Sequence, residues 1–337
     1  MERRYGAALG FVNPNLSWDV PRLPLMLIVL CLAPVVSTAQ GLPSFRPINP
    51  VAASRRGLGF EPFREPVPGR WRADVGLEYA STIEFNQEGG ASFYLDAELL
   101  RARATVYRDI GARSFLLAEG ELLGAYDGVL DGFLAWYHDL LGIEMPERDR
   151  RPRNDFLYAA DLPDSPAIVR RPGDLFLGDV RLGAGLRIHR RVQTVLAVTL
   201  PTNTGPPGYG RDVLSASVLN TLRLPVTPRL LVEGSLGGGY THTTGALQEV
   251  QRELFAAGSA GLRWRFWGRQ SLYGNVFLHT PYYRETGVPS LDGRELSFDF
   301  GWILASREGK ELRLGMAEDL EPGGPAVDLV FRVGGRF

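Results

Sequence analysis

The connections between segments constrain this chain more than any single segment does. From about residue 70 onward, apolar and polar residues alternate in roughly a dozen stretches. Alternation places one residue type on each face of a strand. Short connections at 109–112, 189–191, 225–228, 267–269 and 305–309 interleave with longer ones at 83–90, 123–172, 201–211, 241–251, 281–293 and 318–326. Tight turns at one end and long loops at the other, with an even strand number, are what a closed single-chain membrane barrel requires. A soluble sheet needs no such rhythm. The expected fold is all-β: a transmembrane antiparallel up-and-down β-barrel of about 12 strands over residues 70–337, with one helical segment in the long outer loop 123–172.

The segments agree with each other. Leu296, Phe298, Phe300, Trp302 and Leu304 alternate with Glu295 and Asp299, and Leu262, Trp264 and Phe266 alternate with Arg263 and Arg265. The apolar sets are expected to face lipid and the charged sets the lumen. Arg181, Arg187, Glu233, Arg263, Arg265, Asp299 and Arg332 are therefore candidate lumen residues, and Asp96 and Glu98 belong to the same expected set. In 91–108 the alternation changes phase near Leu99-Leu100, which reads as a β-bulge in one long strand. Trp71, Trp264, Phe266, Trp302 and Phe337 fall near the short-turn ends, where an interfacial aromatic girdle belongs.

Both termini point to export. Leu23 to Val36 is an apolar run behind Arg22, and Ser37-Thr38-Ala39 offers small residues for a cut after Ala39. This is the pattern of a cleaved signal peptide, here 1–39 with an N-terminal extension. Cys31 is the single cysteine and lies inside that run, so the exported chain is expected to have no disulfide and no cysteine-bound metal. Residues 40–69 are rich in Pro, Gly and Arg without periodicity and read as a periplasmic lead-in, a partial plug or a linker. A net charge of −1 argues against a nucleic-acid partner. The alternating end, Val327 to Phe337, resembles the terminal strand of Gram-negative outer-membrane barrels, whose assembly machinery reads a C-terminal aromatic; Phe337 is the candidate signal.

Within loop 123–172, Asp127 to Leu141 reads as a helix, with Asp127 at its start and Gly142 past its end. Leu130, Phe133, Tyr137 and Leu141 share an apolar face, and Asp127, Asp131 and His138 form a polar stripe, a tether or a weak cation site. The apolar face packs on the barrel wall, or else the helix folds over the outer mouth and restricts it. The run behind it, with Arg148, Arg150, Arg151 and Arg153 among acids, reads as a self-paired loop or a contact for lipopolysaccharide phosphates.

The loop sequence GVLDGFLAWYHDLLGIEMPER, the FRPINP lead-in and the terminal aromatic resemble domain-of-unknown-function family 3187, uncharacterised bacterial outer-membrane proteins. Gly128, Asp131, His138, Asp139, Gly142, Pro146 and Arg148 carry the likeness, and Val129 departs from it. The resemblance implies fold and outer-membrane location and assigns no catalytic residue, metal or cofactor. Two functions follow from the barrel: a narrow pore or uptake channel for small solutes, or a plugged barrel with a scaffold or receptor role. A hydrolase is disfavoured. The four histidines, His138, His189, His242 and His279, are dispersed, and no Gly-x-Ser-x-Gly elbow occurs. The expected partners are outer-membrane lipid, lipopolysaccharide and the assembly machinery.

Overall fold

A computed structural model describes residues 41–55, 58–142, 152–163, 167–206, 208–209, 213–245, 247–321 and 329–337. The expected signal peptide, residues 143–151 with most of the arginine run, and residues 327–328 lie outside it, as does the side chain of His138.

Twelve antiparallel strands close on themselves. They are β1 (Trp71–Glu88), β2 (Ala91–Asp109), β3 (Ser114–Tyr126), β7 (Arg181–His189), β8 (Val192–Thr199), β9 (Ser215–Pro225), β10 (Leu230–Thr241), β11 (Leu254–Trp267), β12 (Gln270–His279), β13 (Glu295–Ala305), β14 (Glu311–Asp319) and β15 (Leu329–Arg336). Three short strands, β4 (Leu157–Asp161), β5 (Ile168–Arg170) and β6 (Gly173–Leu177), lie in the long loop. β4 pairs with β2 above the point where β3 ends, β5 pairs with β4, and β6 pairs with β3 above β7. Closure is between β1 and β15, with Asp74 opposite Arg336 and Ser81 opposite Leu329. Phe337 continues the seam: its N–H donates to the Ala73 carbonyl at 2.9 Å, and the Ala73 N–H donates back at 3.0 Å.

Exposed Val75, Leu77, Leu116, Leu182, Leu196, Leu222, Leu262, Leu278, Leu314 and Val333 come from strands all round the barrel. An apolar belt of that extent is unlike a water-exposed surface and matches a lipid-facing band. No described helix is long and apolar enough to cross a membrane. Trp71, Trp264, Trp267 and Phe337 are exposed near the end carrying the tight turns.

Two sequence expectations change. Residues 83–90 are not a long loop. β1 and β2 run on to a two-residue turn at Gly89-Gly90, whose φ angles of 57° and 91° suit glycine in a tight hairpin. There is also no bulge near Leu99: the β1–β2 register is continuous from Trp71–Arg108 to Glu88–Ala91. Phe93, Leu95, Ala97, Leu99, Arg101, Arg103 and Thr105 all point inward. The inward face itself changes from apolar to charged along one strand, which mimics a phase shift in the sequence. Asp96 and Glu98 therefore lie on the outer face, not in the lumen.

Candidate functional site

The lumen is occupied by the chain's own residues 41–55 and 58–66. This segment enters at the tight-turn end, climbs to a short helix α1 (Pro50–Arg55), and returns, with Phe45 and Phe60 bridged at 3.3 Å in both directions. Its prolines prevent ladder pairing and remove N–H donors that would need partners inside the barrel. Asn49 caps α1, its Oδ1 accepting the Val51 N–H at 2.9 Å, and Pro50 occupies the first helical position.

The segment meets the wall differently at different heights. Towards the loop end the contact is apolar: Phe45, Ile48, Val51, Leu58 and Phe60 pack with Phe93, Leu95, Leu219 and Phe277. The rings of Phe45 and Phe277 stack at 3.8 Å. Arg55 donates to the carbonyls of Thr241, His242 and Arg252. Asn49 donates to Glu84 at 2.8 Å.

At mid-height the contact is ionic. Arg46 Nε and Nη2 donate to the two Glu119 oxygens at 3.0 and 2.8 Å, and Nη2 also donates to Glu61 at 2.6 Å. Glu61 accepts from Arg181 at 2.7 Å and Tyr107 at 2.6 Å. Gly59 packs over this cluster, and any side chain there would occupy the space of the Arg46 guanidinium. Arg101 donates to the carbonyls of Arg46 and Pro47, both at 2.6 Å, and Arg332 to that of Ser44 at 2.8 Å. Wall charges also pair among themselves: Arg332 with Asp299 at 2.5 Å, Arg313 with Asp74 at 3.0 Å, Arg263 with Glu311 at 2.6 Å. Cavities beside Ser44 and beside Phe45–Ile48 measure only about 30 and 10 Å³. That is space for a water molecule or so, not for a solute.

At the tight-turn end the lumen opens into larger cavities of about 470 and 320 Å³. Arg64 lies in the first, buried, with its guanidinium over the Tyr107 ring at 3.6 Å. Burial pushes its pKa down to about 10, so it remains a cation at neutral pH. Burial also pushes Glu61 up, but Arg46 and Arg181 outweigh it and hold the carboxyl below its usual range.

Of the expected lumen residues, Arg181, Glu233, Arg263, Asp299 and Arg332 point into the barrel. Arg187 and Arg265 sit at the tight-turn rim, donating to the carbonyls of Ala112 and Pro228. The partners Arg46 and Glu61 were missed, because a non-periodic segment gives no sign of which way its charges face.

The loop helix, α2 (Asp131–Leu141), is shorter than expected and lies outside the barrel, not across its mouth. Phe133 packs on outward-facing Phe331 at 5.8 Å, and Tyr137 donates to Glu318 at 3.2 Å. The outward Glu98 carboxylate accepts the N–H groups of Val129 and Leu130 just ahead of the first turn. Asp127 therefore does not cap the helix. Gly142, φ 68°, ends it as the sequence suggests. Asp131 accepts the Asn154 N–H at 2.6 Å, and no cluster of three metal-ligating side chains forms among the described residues.

A sequence profile described as protein of unknown function DUF3187 matches residues 67–337. The chain belongs to the DUF3187 family. The DUF3187 match begins where β1 approaches, so segment 41–66 and the FRPINP lead-in precede it. No curated protein matches the sequence. Among solved structures, the chain resembles the COG4313 outer membrane channel from Pseudomonas putida F1, with a TM-score of 0.52 at 12% identity over 81% of this chain and 96% of that one. The CymD monoaromatic hydrocarbon channel aligns at a TM-score of 0.39 and 10% identity over 86% and 91% of the two chains, and the KdgM porin at 0.39 and 8% over 79% and 98%. Identities this low speak to the shared barrel fold of the DUF3187 chain alone.

Proposed function

We propose that this DUF3187 protein is an outer-membrane channel for small polar solutes that is closed at rest by its own residues 41–66. One observation carries the reading: at mid-height the lumen is filled by this segment, and the cavities beside Phe45–Ile48 and beside Ser44 measure only about 10 and 30 Å³. Both ends of the segment lie at the tight-turn end, taken as periplasmic by the usual asymmetry of such barrels. The segment can therefore withdraw as a hairpin without threading. Its mid-height contacts are ionic and can be exchanged for water. The wall it would expose carries Glu78, Arg101, Arg103, Glu119 and Arg181, a lining suited to polar solutes. The similar channel from Pseudomonas putida fits this reading by fold. Export through a cleaved signal peptide, insertion signalled by Phe337, and outer-membrane lipid and lipopolysaccharide as surroundings belong to the same proposal.

Deletion of residues 41–66 tests it. Liposomes carrying the refolded deletion variant should swell in small sugars faster than those carrying the parent, with insertion checked by heat modifiability. Equal swelling by inserted parent and variant would reject the segment as the closure. The second reading, a permanently plugged scaffold, is favoured by the apolar packing of Phe45, Leu58 and Phe60 against Phe93 and Phe277. It predicts that a cysteine at Ala52, which is fully buried, never reacts with an impermeant maleimide in the folded parent. Slow labelling of that cysteine supports the channel.

A further inference from the structure

The cavity of about 470 Å³ at the tight-turn end has a lining that closing the barrel does not explain. Arg64, Arg70, Arg72, Arg223, Lys310 and Arg336 line it, against Glu65, Glu308 and the terminal carboxylate of Phe337. Several of these cations are already matched: Arg223 with Glu65 at 3.1 Å and Glu233 at 3.8 Å, Lys310 with Glu308 at 3.0 Å, Arg336 with Asp74 at 3.2 Å and Glu311 at 3.7 Å, and Arg72 with Asp109 at 3.4 Å. Arg64 and Arg70 have no such carboxylate among the described residues. Arg64 is 3% exposed, and its Nε and Nη2 have no hydrogen-bond partner among the described residues. The Nε atom of Arg72 is likewise buried without one among the described residues, whereas that of Arg223 faces Glu233 at 3.8 Å. A buried guanidinium is costly unless its N–H groups are satisfied, and arginine forks suit the oxygens of phosphate.

We infer that this cavity is a binding site for a phosphate group. Arg64 and Arg70, the lining cations with no carboxylate against them among the described residues, are the ones placed to meet an anion. Arg64 forms the floor, stacked on Tyr107, while Arg72, Arg223 and Arg70 close on the anion from the wall strands and the segment that leads into β1. The phosphate comes either from a free phosphorylated solute or from the headgroup of a lipid reaching the periplasmic rim. Either source would tie residues 64–70 to strands β1 and β9, which bears on how firmly the luminal segment is held. The site itself does not depend on whether the barrel conducts.

The experiment is calorimetric titration of the refolded full chain, in zwitterionic detergent, with inorganic phosphate against chloride at equal ionic strength. Saturable binding of one phosphate is expected. Arg64→Gln should weaken it about ten-fold or more, the loss of charge-assisted hydrogen bonds. If Arg64→Gln does not fold, Arg70→Gln, at an exposed position, should weaken it several-fold. Arg307→Gln, which lines the neighbouring cavity and not this one, should leave it unchanged. Repeating the titration in nanodiscs of phosphatidylglycerol and of phosphatidylcholine separates the sources: loss of phosphate binding only with the anionic lipid assigns the site to a headgroup, and undiminished binding assigns it to a soluble phosphate. Absence of saturable phosphate binding, or equal weakening by Arg307→Gln, overturns the proposal.

Discussion

Replacing Arg46 with methionine should loosen the luminal segment without unfolding the barrel. The Arg46 guanidinium makes three bonds to carboxylate oxygens at 2.6, 2.8 and 3.0 Å. Hydrogen bonds to charged groups contribute about 1.5–3 kcal/mol each, but the full sum does not apply. Glu61 keeps Arg181 and Tyr107, and Glu119 keeps Arg103 and Thr105. The expected loss is that of one broken buried pair, about 3–5 kcal/mol. At the lower figure the equilibrium for displacing the segment rises roughly a hundredfold. The assay is the rate at which a cysteine at Ala52 reacts with an impermeant maleimide, in a chain with Cys31→Ser. With fast reclosing, that rate follows the displaced population. A rate within two-fold of the parent, with normal heat modifiability, would refute the reasoning, because it would mean the ionic layer does not hold the segment.

Three further outcomes follow from the same geometry. Glu61 has a depressed carboxyl pKa in the folded protein, so its contribution is present above the unfolded value, about 4.3, and is lost as pH falls through the folded value; conductance should be flat from pH 8 to 6 and rise only below about pH 4, with the step diminished in Glu61→Gln, and a rise between pH 8 and 6 would contradict this. Deleting Phe337 removes two seam hydrogen bonds to Ala73 and an exposed terminal aromatic, so the yield of heat-modifiable, inserted protein should fall; an unchanged yield rejects both roles. Replacing 127–155 with a short Gly-Ser linker removes α2 from the outer wall and should leave solute flux unchanged; an increase would place the helix in the pathway after all.

The barrel was legible in the sequence because lipid and lumen impose opposite demands on successive residues. Leu296, Phe298 and Phe300 against Glu295 and Asp299 illustrate this. The signal failed where those demands changed. Along β2 the inward face passes from Phe93 and Leu95 to Arg101 and Arg103, because its upper part packs on the luminal segment and its lower part on the ionic layer. Helix α2 showed its apolar residues but not their destination. Phe133 and Tyr137 meet Phe331 and Glu318 only through strands that lie nearly two hundred positions away in the chain, as the Tyr137–Glu318 separation of 181 shows. Segment 41–66 was the least legible. Its Arg46, Glu61 and Arg64 belong to no period, and their meaning depends on the wall residues that surround them.

Single-channel recording of the refolded full chain in a planar bilayer tests the central claim most directly. The account predicts a closed baseline with brief openings, openings that lengthen in Arg46→Met, and a sustained larger current once residues 41–66 are deleted. A steady open current from the parent, or no current from an inserted deletion variant, would contradict it.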